Sequence, residues 1–69
     1  MNLIEIGKII RFRREFLSLR QEDLAEMSAV TTKTIHLIES GTGNPSLETL
    51  EKLTTVLGME ILIQVKKTD

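Results

Sequence analysis

From Gln21 to Gly41 the chain reads QEDLAEMSAVTTKTIHLIESG. Leu24, Ala25 and Met27 are the apolar positions of its first half, behind the polar Glu22 and Asp23. Ile35 and Ile38 stand three apart in its second half, which puts them on one helical face. Val30 lies between the halves, where an apolar plug can fill a corner. Thr31 suits an N-cap, because its hydroxyl can accept from a free amide one turn in. Gly41 follows the last turn, where a left-handed cap is common. The small Ala25 lets two helices approach closely. The stretch predicts two short helices joined by a tight turn, the second carrying polar side chains on its N-terminal half.

This is the anatomy of a helix-turn-helix, and the spacing narrows it further. Gln21, Leu24, Ala25, Val30, Thr31, Ile35, Ile38, Glu39, Gly41, Pro45, Leu47, Leu50 and Leu57 fall in order on one pattern. That pattern resembles the lambda-repressor/Cro-like (XRE) family, Q-x-x-L-A-x-x-x-G-V-S-x-x-x-I-x-x-I-E-x-G-x-x-x-P-x-L-x-x-L. Gly7, Ile10 and Arg14 match its upstream G-x-x-I-x-x-x-R. The likeness covers about residues 5 to 58. Two positions depart from it. Ala29 stands at the usual turn glycine, and Arg20 at the usual Ser/Thr cap of the first motif helix.

The resemblance implies that Arg14 pairs with Glu39, bracing the first helix against the recognition helix. It implies that Gln21 reaches a phosphate, and helix N-termini suit phosphate because their free amides point outward. Recognition would come from Thr32, Lys33, Thr34, His36 and Leu37. Lysine donates to guanine acceptors, and threonine bonds a base edge or touches a thymine methyl. Leu37 either packs on a thymine methyl or belongs to the core. His36 reads as a solvated or phosphate-facing side chain. Arg20 is a further candidate for the DNA surface. In relatives the loop after the recognition helix carries Lys or Arg along the backbone. Here Thr42 and Asn44 are left to donate, with amides freed by Gly41 and Gly43.

Composition bounds the rest. The 69 residues allow one small domain, whose core is marginal alone and would gain from a dimer interface. There is no cysteine and one histidine, which argues against a disulfide framework or a zinc site. No cofactor is expected. No apolar run reaches transmembrane length and no signal peptide is visible, so a cytoplasmic protein is the expectation. The net charge of −1 does not suggest nucleic acid. Its distribution does better, because Lys8, Arg11, Arg13, Arg14 and Arg20 crowd the first twenty residues against Glu5 and Glu15. Arg11 and Arg13 read as a solvated charged face.

Residues 2 to 17 predict a first helix, capped by Asn2, with Leu3, Ile6, Ile10, Phe16 and Leu17 as its apolar stripe. Gly7 inside it costs roughly 1 kcal/mol against alanine, which suggests a close helix crossing. Leu19 is placed between the first and second helices. Ser46 caps a last helix whose inner face is Leu47, Leu50, Leu53, Val56 and Leu57, and Gly58 ends it. Beyond it, Met59, Ile61, Ile63 and Val65 alternate with Glu60, Leu62, Gln64 and Lys66, the period of a strand. An unpaired strand exposes a row of donors and acceptors. Pairing of Ile61, Leu62, Ile63 and Val65 with a second copy across a two-fold axis would satisfy them.

The expected fold is mostly α: a four-helix domain over 1–58, then a dimerisation strand and short tail within 59–69. The expected function is sequence-specific regulation of transcription by a homodimer on a palindromic site of double-stranded DNA, as a repressor, with no catalysis. Two alternatives stay open. A helical domain of this type ending in one strand also resembles, more distantly, the HipB-like antitoxins, which implies a HipA-like kinase toxin as partner. A protein-interaction module that keeps the fold without reading DNA is the other.

Overall fold

A computed structural model describes residues 1–67 and contains four helices, α1 (Leu3–Phe16), α2 (Gln21–Ser28), α3 (Thr32–Glu39) and α4 (Leu47–Val56). Their starts follow local capping chemistry. The side chains of Asn2, Thr31 and Ser46 each accept from the amide three residues on, at Glu5, Thr34 and Thr49. Arg20 has no acceptor to offer, so α2 keeps half a capping box. The Asp23 carboxylate accepts from the Arg20 amide at 2.8 Å. The Arg20 guanidinium, and then its amide, hold the Asp23 carboxyl below the usual aspartate range. That contribution is present above the ordinary aspartate pKa and lost as acid protonates Asp23.

The helix ends are equally local. Gly58 and Gly41 adopt positive φ, and the residue after each closes a bond to the carbonyl five back, Met59 to Thr54 and Thr42 to Leu37. Ser18 makes the same closure after α1 with φ 59°, without being glycine. Ala29 occupies the corner between α2 and α3 at φ 60°, ψ 24°. The turn therefore keeps its left-handed geometry and tolerates the methyl. An L-residue held there is strained by ~1–2 kcal/mol, while glycine loses more unfolded-state entropy, roughly 0.5–1 kcal/mol. Ala29→Gly is expected to raise stability by up to ~1 kcal/mol in urea denaturation, and a loss would show that the corner is relaxed.

Ile10, Leu24, Val30, Ile35, Ile38, Leu53 and Leu57 form the core, one or two from each helix, with Val30 from the corner and Leu57 from the C-cap of α4. Ile6, Leu19, Ala25, Leu50, Val56 and Met59 pack around it. Several expected inner positions are instead outside: Leu3, Phe16 and Leu17 of the first segment, Met27 of α2 and Leu47 of α4 are exposed. The reason is the narrowness of each contact. α1 buries or half-buries Ile6, Gly7, Ile10, Arg13 and Arg14 and leaves the rest of its side chains exposed. In α2, Ser28 takes the buried place one turn after Leu24 and donates to the Leu24 carbonyl at 2.6 Å.

The expected C-terminal strand is absent. Among the described residues there is no strand, and 59–67 has no regular secondary structure. Thr68 and Asp69, the end of that expected segment, lie outside the described residues. Of the expected dimerisation residues, Ile61 and Leu62 line a hollow with Ile9 and Leu50 yet stay 38 % and 66 % exposed, while Ile63 and Val65 are 91 % and 96 % exposed. A strand is a hydrogen-bonded ladder, and a single copy offers this segment no partner.

Candidate nucleic-acid interface

α3 is held in place before it presents anything. Arg14 meets Glu39 in a fork, Nε to Oε2 at 2.6 Å and Nη2 to Oε1 at 2.8 Å. Its third nitrogen, Nη1, donates to the Leu19 carbonyl at 2.8 Å. Both side chains are nearly buried, at 10 % and 4 % exposed. The hydrogen bond to Glu39 holds the Arg14 pKa above its ordinary value, against the opposing effect of burial. Gln21 adds a third donor, Nε2 to Glu39 Oε1 at 3.2 Å. One carboxylate at the end of α3 thus ties together α1, the α1–α2 link and the start of α2. Gly7 lets α1 pass against the same end of α3, because a β-carbon there would overlap the Ile38 carbonyl and lie 2.9 Å from that of Glu39.

With its apolar face buried through Ile35 and Ile38, α3 leaves Thr32, Lys33, His36 and Leu37 exposed. Lys33 and Leu37 are one turn apart on the same side. Thr34 is half-buried, and its hydroxyl accepts from Thr31 Oγ1 at 2.9 Å, which leaves its own proton and one lone pair for a ligand. Arg20 is exposed but occupied, its guanidinium bonded to Asp23 at 3.2 Å and close to Glu22 at 3.6 Å.

The loop after α3 differs from the expectation. The amides of Thr42 and Gly43 are not free, because both donate to the Leu37 carbonyl, at 3.1 and 3.2 Å. Closing the helix end takes the donors that a phosphate would need. Thr42 Oγ1 lies 2.8 Å from Ser40 Oγ, and both the Thr42 and Asn44 side chains are exposed.

A polar hollow of about 270 Å³ lies beside α3, lined by Arg11, Arg14, Gln21, His36, Glu39 and Ser40. Arg11, with its side chain 63 % exposed, shares this hollow with Gln21 and His36. Its spacing of three from Arg14 was the available signal, since it places both on one side of α1. Its tie to Glu15 is loose, 3.5 Å on the surface. Arg13 is also more than a surface charge. Its Nε donates to the Leu57 carbonyl at 2.9 Å, capping α4, while its guanidinium lies 5.2 Å from the Phe16 ring centre. Among the described residues no group of three His, Asp or Glu side chains could hold a metal ion, and no helix is long and apolar enough to cross a membrane.

Residues 10–63 match a family model described as helix-turn-helix. An HTH-type transcriptional regulator of Methanothermobacter thermautotrophicus is 42% identical over 52 residues, covering 75% of each chain. A Methanococcus maripaludis protein named for HTH-type transcriptional regulation is 38% identical over 81% of this chain, and one from Methanococcus vannielii 35% identical over 91%. The chain spans only 17% and 19% of the length of those two. Among solved structures, the restriction-modification controller protein C.AhdI from Aeromonas hydrophila superposes with a TM-score of 0.80 at 34% identity, over 84% of this chain and 88% of that one. Family model, relatives, fold and the placement of α3 agree: the chain belongs to the XRE-type helix-turn-helix family of DNA-binding transcriptional regulators.

Proposed function

We propose that this domain reads one half-site of a palindromic operator through α3, and acts as a repressor in a homodimer. The carrying observation is the exposed, otherwise uncommitted edge of Thr32, Lys33 and Leu37 on a helix clamped from behind by Arg14, Glu39 and Gln21. Lys33 is the candidate donor to guanine, and Leu37 the candidate contact to a thymine methyl. Arg11, Gln21 and His36 face the flanking phosphates from the polar hollow. A second copy would place a second α3 one helical turn away, roughly 34 Å along the duplex.

Selection from random duplexes at low salt tests this reading, and no enriched site would leave the protein-interaction module. On the selected site, Lys33→Ala is expected to weaken binding by ~1–3 kcal/mol and to relax preference at one base pair. Gln21→Ala should weaken binding across all sequences alike, because its role is positional. Equal losses on selected and scrambled duplexes for Lys33→Ala would remove its base-reading role.

The likeness to C.AhdI favours a second reading, control of a restriction-modification operon. A neighbouring endonuclease gene and an operator upstream of it would support that; a neighbouring kinase gene would favour the antitoxin reading.

A further inference from the structure

We infer, on the homodimer reading, that the segment after Met59 pairs antiparallel with the same segment of a second copy in one register, with the two-fold axis at Ile63. Three observations converge on it. Ile63 and Val65 are the most exposed large apolar side chains of the protein among the described residues, at 91 % and 96 %. The odd positions from 59 to 65 are all apolar, Met59, Ile61, Ile63 and Val65, while the even ones are Glu60, Gln64 and Lys66 with Leu62 as their one apolar member. The segment starts beside an apolar hollow whose lining includes Ile9, Leu50, Met59 and Ile61.

Charge and face together select the register. With the axis at Ile63, that residue opposes itself, Ile61 opposes the partner's Val65, and Glu60 opposes the partner's Lys66. Both ends of the ladder then carry an opposite-charge pair. Shifting the opposed pairs by one residue sets odd apolar positions against even polar ones and breaks the apolar face. Moving the axis one residue along to Gln64 sets Lys66 against Leu62. Moving it back to Leu62 sets Lys66 against Gly58 and leaves Glu60 facing Gln64. Only the axis at Ile63 keeps the apolar face and matches the charges, and opposed charges on a strand pair favour pairing. It also brings the partner's Val65 beside Ile61 at the apolar hollow, covering side chains that one copy leaves in water.

The chain has no cysteine, so single substitutions report the register directly. Opposed residues in an antiparallel pair have Cα atoms about 4.5–5.5 Å apart, within disulfide reach. Ile63→Cys is expected to form a covalent dimer under mild oxidation. Ile61→Cys alone should not, because its own copy lies four residues, roughly 13 Å, along the ladder; Ile61→Cys with Val65→Cys should. Glu60→Lys or Lys66→Glu alone should raise the dimer dissociation constant about tenfold, and the two together should restore it. Both sites are exposed, so folding is not at risk. If the protein sediments as a dimer but Ile61→Cys cross-links while Ile63→Cys does not, or if the charge exchange fails to rescue, the register is wrong and the homodimer stands. A protein that stays monomeric at high micromolar concentration overturns both, and leaves half-site DNA binding to be judged on its own assay.

Discussion

Arg14→Ala is expected to lower the stability of the domain by ~3–5 kcal/mol, the usual consequence of leaving a buried charge without its partner. Glu39 is the charge left behind, 4 % exposed and keeping only the 3.2 Å bond from Gln21. The Leu19 carbonyl loses its donor as well. At roughly 0.05–0.15 kcal/mol per residue, a chain of this size cannot absorb much of that loss. Glu39→Ala should cost a similar amount by stranding Arg14. Arg13→Ala removes one half-buried bond to the Leu57 carbonyl and should cost nearer ~1 kcal/mol. Arg14→Ala with Glu39→Ala should cost less than the sum of the singles, because neither charge is then orphaned. Chemical denaturation of the four variants decides it, and strictly additive losses would show that the pair is not a coupled unit.

Gly7→Ala should be the other large effect, opposite in sign to what helix propensity gives. Alanine inside a helix gains roughly 1 kcal/mol over glycine. Here the added methyl would occupy the space of the Ile38 carbonyl. Backbone atoms cannot rotate aside, so α1 and the end of α3 must separate. Overpacking of this kind costs ~1–3 kcal/mol and sometimes more, which outweighs the propensity gain. The separation also pulls on the Arg14–Glu39 fork, so DNA affinity should fall beyond what the lost folded fraction explains. Thermal melts and binding measured well below the midpoint would separate the two effects. A variant as stable as the parent would mean that α1 and α3 are not in close contact at Gly7.

What could be read without the fold was local or strongly periodic. Asn2, Thr31 and Ser46 cap their helices because each hydroxyl or amide oxygen reaches an amide only three residues on. Gly41 and Gly58 close α3 and α4 for the same short-range reason. Leu24, Ile35, Ile38, Leu53 and Leu57 were legible as core because their spacing puts each on the inner side of its helix. The side of α3 left for a ligand follows from the same spacing, with Ile35 and Ile38 buried and Lys33 and Leu37 opposite.

Tertiary structure decided the rest. Phe16, Met27 and Leu47 are apolar at plausible spacing, yet no other helix arrives to cover them. Ser28 is polar and buried, because its hydroxyl finds the Leu24 carbonyl within its own helix. Arg13 caps a helix 44 residues away, a contact that no local pattern reports. The Thr42 and Gly43 amides turn inward because the Leu37 carbonyl is there to receive them. The alternation from Met59 to Lys66 marks a segment able to be a strand, but a ladder needs a second row of amides and carbonyls. Local sequence sets how this chain begins and ends its helices, because those bonds span three to five residues; what each side chain touches depends on which distant element packs against it.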